Sequence, residues 1–245
     1  MRHMDMGLWV TWYDLPIEGE AEYLAWFHEK YIPEMSSRPG FLWGAHYELV
    51  GRGKSQEINP HVKYADDTSI PSGTEFVAMF GGESTYPFMN PSLAHIVENQ
   101  STETREMLGR RIGERTCIFA EELRLDGPES AQRTPGSVPG PVIQIGSFNL
   151  ESAEDELEMG TWYAQLRLPS LERMHGCIGV RKLISSSGWA KHSIFYELIS
   201  EEVLEHFPGI KLLQGAEREW SIKVVGTLDH APGSPTVAKR IWPPV

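Results

Sequence analysis

The chain has 245 residues, 40% of them hydrophobic, and a formal net charge of −12. That length can bury a sizeable core, while the negative balance and the scatter of the 22 basic residues argue against a nucleic-acid partner. No apolar run reaches the roughly 18–20 residues of a membrane span, the first residues have no signal-like apolar stretch, and the expected location is cytoplasmic.

In chain order, Gly7–Tyr13 has the β-branched and aromatic character of a strand, stopped by Asp14-Leu15-Pro16. From about Glu18 to Ser36, Leu24, Phe27, Tyr31 and Met35 recur at helical spacing, and Pro39-Gly40 ends the helix. Strands follow at Phe41–Val50 and, after a long polar loop over Gly51–Gly73, at Glu75–Phe80. A helix around Pro91–Ile112 and a strand at Arg115–Leu123 complete a βαββαβ order. The Pro-, Gly- and Ser-rich stretch 126–141 reads as a linker. Beyond it the order repeats: strand Val142–Leu150, helix Ala153–Met174, strands Cys177–Ile184 and Lys191–Ile199, helix Glu201–Leu213, strand Trp220–Leu228. The tail Ala231–Val245, with four prolines, shows little regular pattern; Ile241 and Trp242 in it suggest packing against a second subunit and hence a homodimer.

The repeat is visible in single residues. Trp26, Phe27, Pro33 and Gly40 match Trp162, Tyr163, Pro169 and Gly176, all at an offset of 136. A period of that length means duplication of a whole unit rather than a solenoid. The expected fold class is therefore α+β, two ferredoxin-like halves (1–125 and 142–230) in one chain whose sheets cover each other's open faces. Cys117 and Cys177, one in each half, read as small core residues rather than a disulfide or a metal cluster.

The segment Trp26-Phe27-His28-Glu29-Lys30-Tyr31-Ile32-Pro33-Glu34, followed by Pro39-Gly40-Phe41 and Ala45-His46-Tyr47, resembles the dimeric α+β barrel superfamily and, within it, the EthD-like proteins. His46 and Lys182 stand where those relatives usually place Arg. The resemblance implies a cavity between the two sheets, and a range of activities that includes haem enzymes, cofactor-free monooxygenases, isomerases and lyases.

Strand alternation sends Trp9, Thr11 and Tyr13 to one face and Leu8, Val10 and Trp12 to the other; it likewise separates His46 and Glu48 from Trp43, Ala45 and Tyr47. Taking the aromatic and aliphatic sets as the core under the helices puts Tyr13, His46, Trp9, Thr11 and Glu48 toward the barrel interior. His28, whose counterpart is Ala164, and His46 are the candidate acid and base, and Tyr13, whose counterpart is Phe148, the candidate oxyanion donor. His61 and Tyr64 on the long loop, and Arg181, Lys182, Tyr196 and Glu197 in the second half, are candidate substrate contacts. The chain has no dinucleotide or phosphate loop, no His-Glu-x-x-His and no Gly-x-Ser-x-Gly. The expected function is thus a cofactor-free isomerase or lyase acting on an aromatic or polyketide-like carbonyl compound, with no metal. The alternatives are haem-dependent oxidation, with His175, His192 and His206 as candidate ligands, and a non-catalytic binding or accessory protein.

Overall fold

The computed structural model of the chain describes residues 4–52, 60–134, 136–207 and 209–245. Its strands are β1 (Gly7–Asp14), β2 (Phe41–Leu49), β3 (Lys63–Tyr64), β4 (Phe76–Gly82), β5 (Ile112–Asp126), β6 (Val142–Asn149), β7 (Cys177–Ser187), β8 (His192–Leu198), β9 (Asp229–His230) and β10 (Thr236–Trp242). Its helices are α1 (Glu20–Trp26), α2 (Ile32–Ser36), α3 (Tyr86–Met89), α4 (Leu93–Glu98), α5 (Thr102–Leu108), α6 (Ala153–Trp162), α7 (Leu168–Glu172) and α8 (Gly215–Thr227). Between α1 and α2, and again between α6 and α7, the helix widens into a π turn, at Phe27–Tyr31 and Tyr163–Arg167. The two turns stand at the same offset of 136, so the duplication extends to a local irregularity.

Strand order is that of two ferredoxin-like sheets, β2-β4-β1-β5 and β7-β8-β6-β10. β5 pairs with β7 and β10 with β2, every neighbour antiparallel, and the two sheets close into one eight-stranded barrel. The fold class is as expected, an α+β barrel with helices outside. No helix among the described residues is long and apolar enough to cross a membrane.

Four elements differ from expectation, and the first is the helix expected around Pro91–Ile112, which is two, α4 and α5, divided between Glu98 and Thr102. The tail contains β10, a seven-residue strand with prolines flanking it instead of interrupting it, and Ile241 and Trp242, expected to face a second subunit, pack partly buried on the chain's own first half. Residues 215–227 form a helix because Ser221, Val224 and the following Leu228 fall on one buried face, and this spacing prevails over their β-branched neighbours. Glu201–His206 and Ile210–Leu212 are two 3-10 turns with Gly209 between them. Of the long loop, residues 53–59 lie outside the described residues.

The sheet faces are the reverse of those expected. Leu8, Val10, Trp12, Trp43, Ala45 and Tyr47 fill the barrel interior, whereas Tyr13 and His46 lie on the opposite face, among the side chains of the α1–α2 layer. Trp43 lies over Gly81, where an added Cβ would stand 2.1 Å from its ring. Gly44, on the outer face, admits α2: a Cβ there would meet Ile32 at 2.5 Å. Along Leu8–Trp12 and Trp43–Tyr47 these side chains fill the space in which the resemblance implied a cavity. One end of it is charged. The Asp5 carboxylate accepts from Arg124, Arg133, Arg181 and the Trp43 indole at 2.7–3.0 Å. Burial works to raise its pKa, but Arg181, Arg133 and Arg124 together hold it well below the usual carboxylate range.

Candidate functional site

In the first half, the outer face of the sheet and the α1–α2 layer enclose a chain of polar groups. Arg111 Nε donates to the Tyr23 hydroxyl at 2.7 Å, Tyr23 donates to Tyr13 over a long 3.4 Å, and Tyr13 stands 2.8 Å from His46 Nε2. His46 Nδ1 is 2.8 Å from His28 Nε2. A guanidinium can only donate, so each hydroxyl passes its proton on, His46 carries its own on Nδ1, and His28 is the terminal acceptor. Tyr13, Tyr23 and His46 are fully buried; His28 is half-buried and stacks on Trp242. Burial lowers the His46 pKa well below the ordinary imidazole value, with the nearby His28 and Arg111 adding to the effect, and burial alone lowers His28 to about 4. Burial also pushes the Tyr13 hydroxyl well above the ordinary phenol value, with Tyr23 contributing. The three residues nominated as acid, base and oxyanion donor therefore do meet, in one hydrogen-bonded row. Two of the three have no exposed surface for a substrate to reach.

The corresponding space in the second half is open. A cavity of about 310 Å³ lies between β6 and β8 and the helices α6, α7 and α8, a volume at the lower end of the ~300–1,000 Å³ typical of small-molecule sites. The paired strands explain the asymmetry rung by rung. In the first half the rungs are Trp9–Phe80, Thr11–Ala78 and Tyr13–Phe76; in the second they are Gln144–Tyr196, Gly146–Ile194 and Phe148–His192. Trp9 packs edge-on with Phe41 and Phe88, Phe80 packs edge-on with Phe41, and together they close their side. Gln144 and Gly146 leave the other side unfilled.

Polar groups converge on this apolar cavity from two sides. From the π turn, Arg167 Nε donates to the Tyr196 hydroxyl at 3.2 Å, and its guanidinium lies over the Tyr196 and Phe207 rings. Tyr163, also in the π turn, lines the cavity, and burial together with Tyr196 holds its hydroxyl protonated well above the ordinary range. On β9, His230 lines the cavity with Nδ1 held by the carbonyls of Leu228 at 2.9 Å and Lys63 at 3.2 Å. Carbonyls only accept, so Nδ1 carries the proton and Nε2 the lone pair. Burial lowers the pKa of the ring and favours this neutral form.

Of the nominated substrate contacts, Tyr196 lines the cavity and Tyr64 lies beside it, its ring 6.4 Å from His230. The others are elsewhere. Trp9 and Thr11 belong to the packed first half, where Thr11 bonds Thr116. Glu48 pairs with Arg52 on the outer side of β2 and not in the barrel. Arg181 and Glu197 are inside the barrel, paired with each other and with the Asp5 cluster. Lys182 pairs with Glu122, and His61 is half-buried on the β3 side. Among the histidines nominated for haem, His175 is exposed and pairs with Glu129, and His192 packs on Phe148 with Nε2 3.4 Å from Glu156. His206 lines a separate surface depression together with His175. None of the three lines the cavity. Arg167, Tyr163 and His230 were not nominated; the first two stand at positions matching Tyr31 and Phe27, and that replacement of apolar bulk by a cation was the available signal.

Neither a protein-family model nor a curated protein sequence matches the chain. Solved structures do. A candidate monooxygenase from Fusobacterium nucleatum aligns with a TM-score of 0.58 at 9% identity, covering 98% of this chain and 94% of that one. An anthrone oxidase-like protein aligns at 0.57 and 9% identity over 96% and 90%. A candidate chlorite dismutase aligns at 0.53 and 12% identity over 96% and 94%. At these identities the likeness is one of fold, and the fold shared is that of the dimeric α+β barrels.

Proposed function

We propose that the cavity of the second half is the active site of an enzyme that binds an aromatic or polyketide-like carbonyl compound and moves a proton on it, an isomerase or lyase working by acid–base chemistry. The reading rests on one observation: a neutral imidazole with a fixed lone pair, His230, and the Tyr196–Arg167 pair line the same apolar cavity. His230 Nε2 takes a proton from a carbon made acidic by the carbonyl. The electron pair moves to the carbonyl oxygen, where the Tyr196 hydroxyl and Arg167 guanidinium stabilise the enolate. The imidazolium then returns its proton to another carbon, or the enolate expels a leaving group. The sealed row of Tyr13, His46 and His28 takes no substrate in this arrangement and serves the fold of the first half.

Anthrone is a suitable probe, because it fits the apolar, aromatic lining, its methylene is conjugated with a carbonyl, and one structural neighbour is anthrone oxidase-like. The enzyme should accelerate exchange of that methylene proton for deuterium in oxygen-free D2O, followed by NMR. His230→Gln should slow the exchange by about a hundredfold or more, the usual scale for a general acid–base. No acceleration by the wild type, or equal acceleration by the variant, refutes the reading.

The same histidine favours a second reading. An imidazole whose Nδ1–H is anchored on carbonyls also offers Nε2 to a haem iron, and haem would supply redox chemistry at the cavity. A Soret band at one haem per chain after haemin addition, lost in His230→Gln, would move the function to that class.

A further inference from the structure

The barrel interior treats its two ends differently. At one end, three acids, Asp5, Glu121 and Glu197, meet three arginines and the charges balance. At the other end a single cation stands alone. Arg115 points inward from β5, 3% exposed, its guanidinium carbon 3.9 Å over the Trp12 ring. Nη1 reaches Cys117 Sγ at 3.9 Å, while Nε and Nη2 are buried without a hydrogen-bond partner, and no carboxylate pairs with this arginine among the described residues. The Trp12 indole N–H is equally unsatisfied.

The opposite wall supplies more of the same kind. β1 and β6 are four strands apart either way round the barrel and run in the same direction, so their C-terminal ends share one end of the interior. There β6 presents Ser147, whose register partner is Ser193 at the start of β8. Both hydroxyls are buried, on the barrel side of their strands, and unpaired. Every one of these orphans can donate a hydrogen bond, and only the hydroxyls can accept one. A buried guanidinium without a counter-charge is costly, and water would satisfy its N–H groups without neutralising it.

We propose that this end of the barrel holds a small monovalent anion of halide size, bound by Arg115 Nε and Nη2 and approached by the Trp12 indole and the Ser147 and Ser193 hydroxyls. A single positive charge selects against a dianion, and the close-packed aliphatic and aromatic interior selects against a bulky one. The site is separate from the cavity of the second half and independent of the function proposed for it.

The test is thermal unfolding of protein dialysed into potassium gluconate, with chloride replacing gluconate at constant ionic strength. The melting temperature should rise and saturate with chloride, and sulfate should not reproduce the rise. Arg115→Met should abolish the dependence, and Ser147→Ala with Ser193→Ala should raise the half-saturating chloride by about a hundredfold or more, as expected for loss of two hydrogen bonds to a charged group. An unchanged melting temperature, or a chloride response that persists in Arg115→Met, overturns the proposal. Should Arg115→Met fail to fold, crystals of the wild type grown in bromide decide: an anomalous peak in contact with the Arg115 guanidinium is expected, and its absence overturns the site.

Discussion

His46 sits wholly enclosed between a phenol and a second imidazole, and a proton added to it has no solvent and no carboxylate to stabilise it. Both histidines have folded pKa values below the ~6.5 of an unfolded chain. The unfolded form therefore binds more protons as pH falls, so stability is complete above about pH 7 and is lost as pH drops from 6.5 toward the folded value, about 4 for His28. Urea midpoints at pH 7 and pH 5 should differ more for the wild type than for His28→Gln; an equal difference would mean that His28 does not contribute. Two candidates in this row, His28 and Tyr13, were legible from the sequence because each replaces an inert counterpart, Ala164 or Phe148, in the other half, and His46 because it stands where the resembling proteins place Arg. Their enclosure was not legible. The alternating strand pattern separates two faces but does not say which is covered by helices when both are apolar, and here Leu8, Val10 and Trp12 suit either layer.

Between β6 and β8 the missing side chain of Gly146 does as much to shape the cavity as the residues that line it. A Cβ there would stand 3.3 Å from Ile194 Cγ2, tight but not impossible, and anything longer would extend over the rung that keeps the cavity open. Gly146→Leu should weaken anthrone binding by at least about tenfold, read by tryptophan fluorescence, while the melting temperature moves by only a few degrees. Undiminished binding in that variant would place the ligand elsewhere. Elements were read best where period and length agreed, as in β1, β2, β6 and the α1–α2 stretch. They were misread where β-branched residues and a helical face coincide, as at Ile222, Val224 and Val225 of α8. Neither π turn was anticipated, since one extra residue in a helical turn leaves the apolar spacing almost intact.

At the scale of the whole molecule, the duplication and the α+β class followed from the 136-residue offset, but the closure of the barrel did not, because its last strand lies between prolines. β10 pairs on one side with β2 and on the other with β6, joining the first half to the second through Ala238–Lys239 and their neighbours. A chain ended after Ala231 should lose both pairings and leave two long unpaired edges, so it is expected to aggregate or to lose its near-UV circular dichroism. A soluble monomer with a native spectrum would show that the ring holds without its seven-residue clasp of Thr236–Trp242. The position of that strand also sets an order of events during synthesis. β10 leaves the ribosome after every other strand of the barrel, so the edge of β2 waits unpaired, from Leu49 to Thr236, through the translation of nearly 190 further residues, an interval of roughly 10–40 s at 5–20 residues per second.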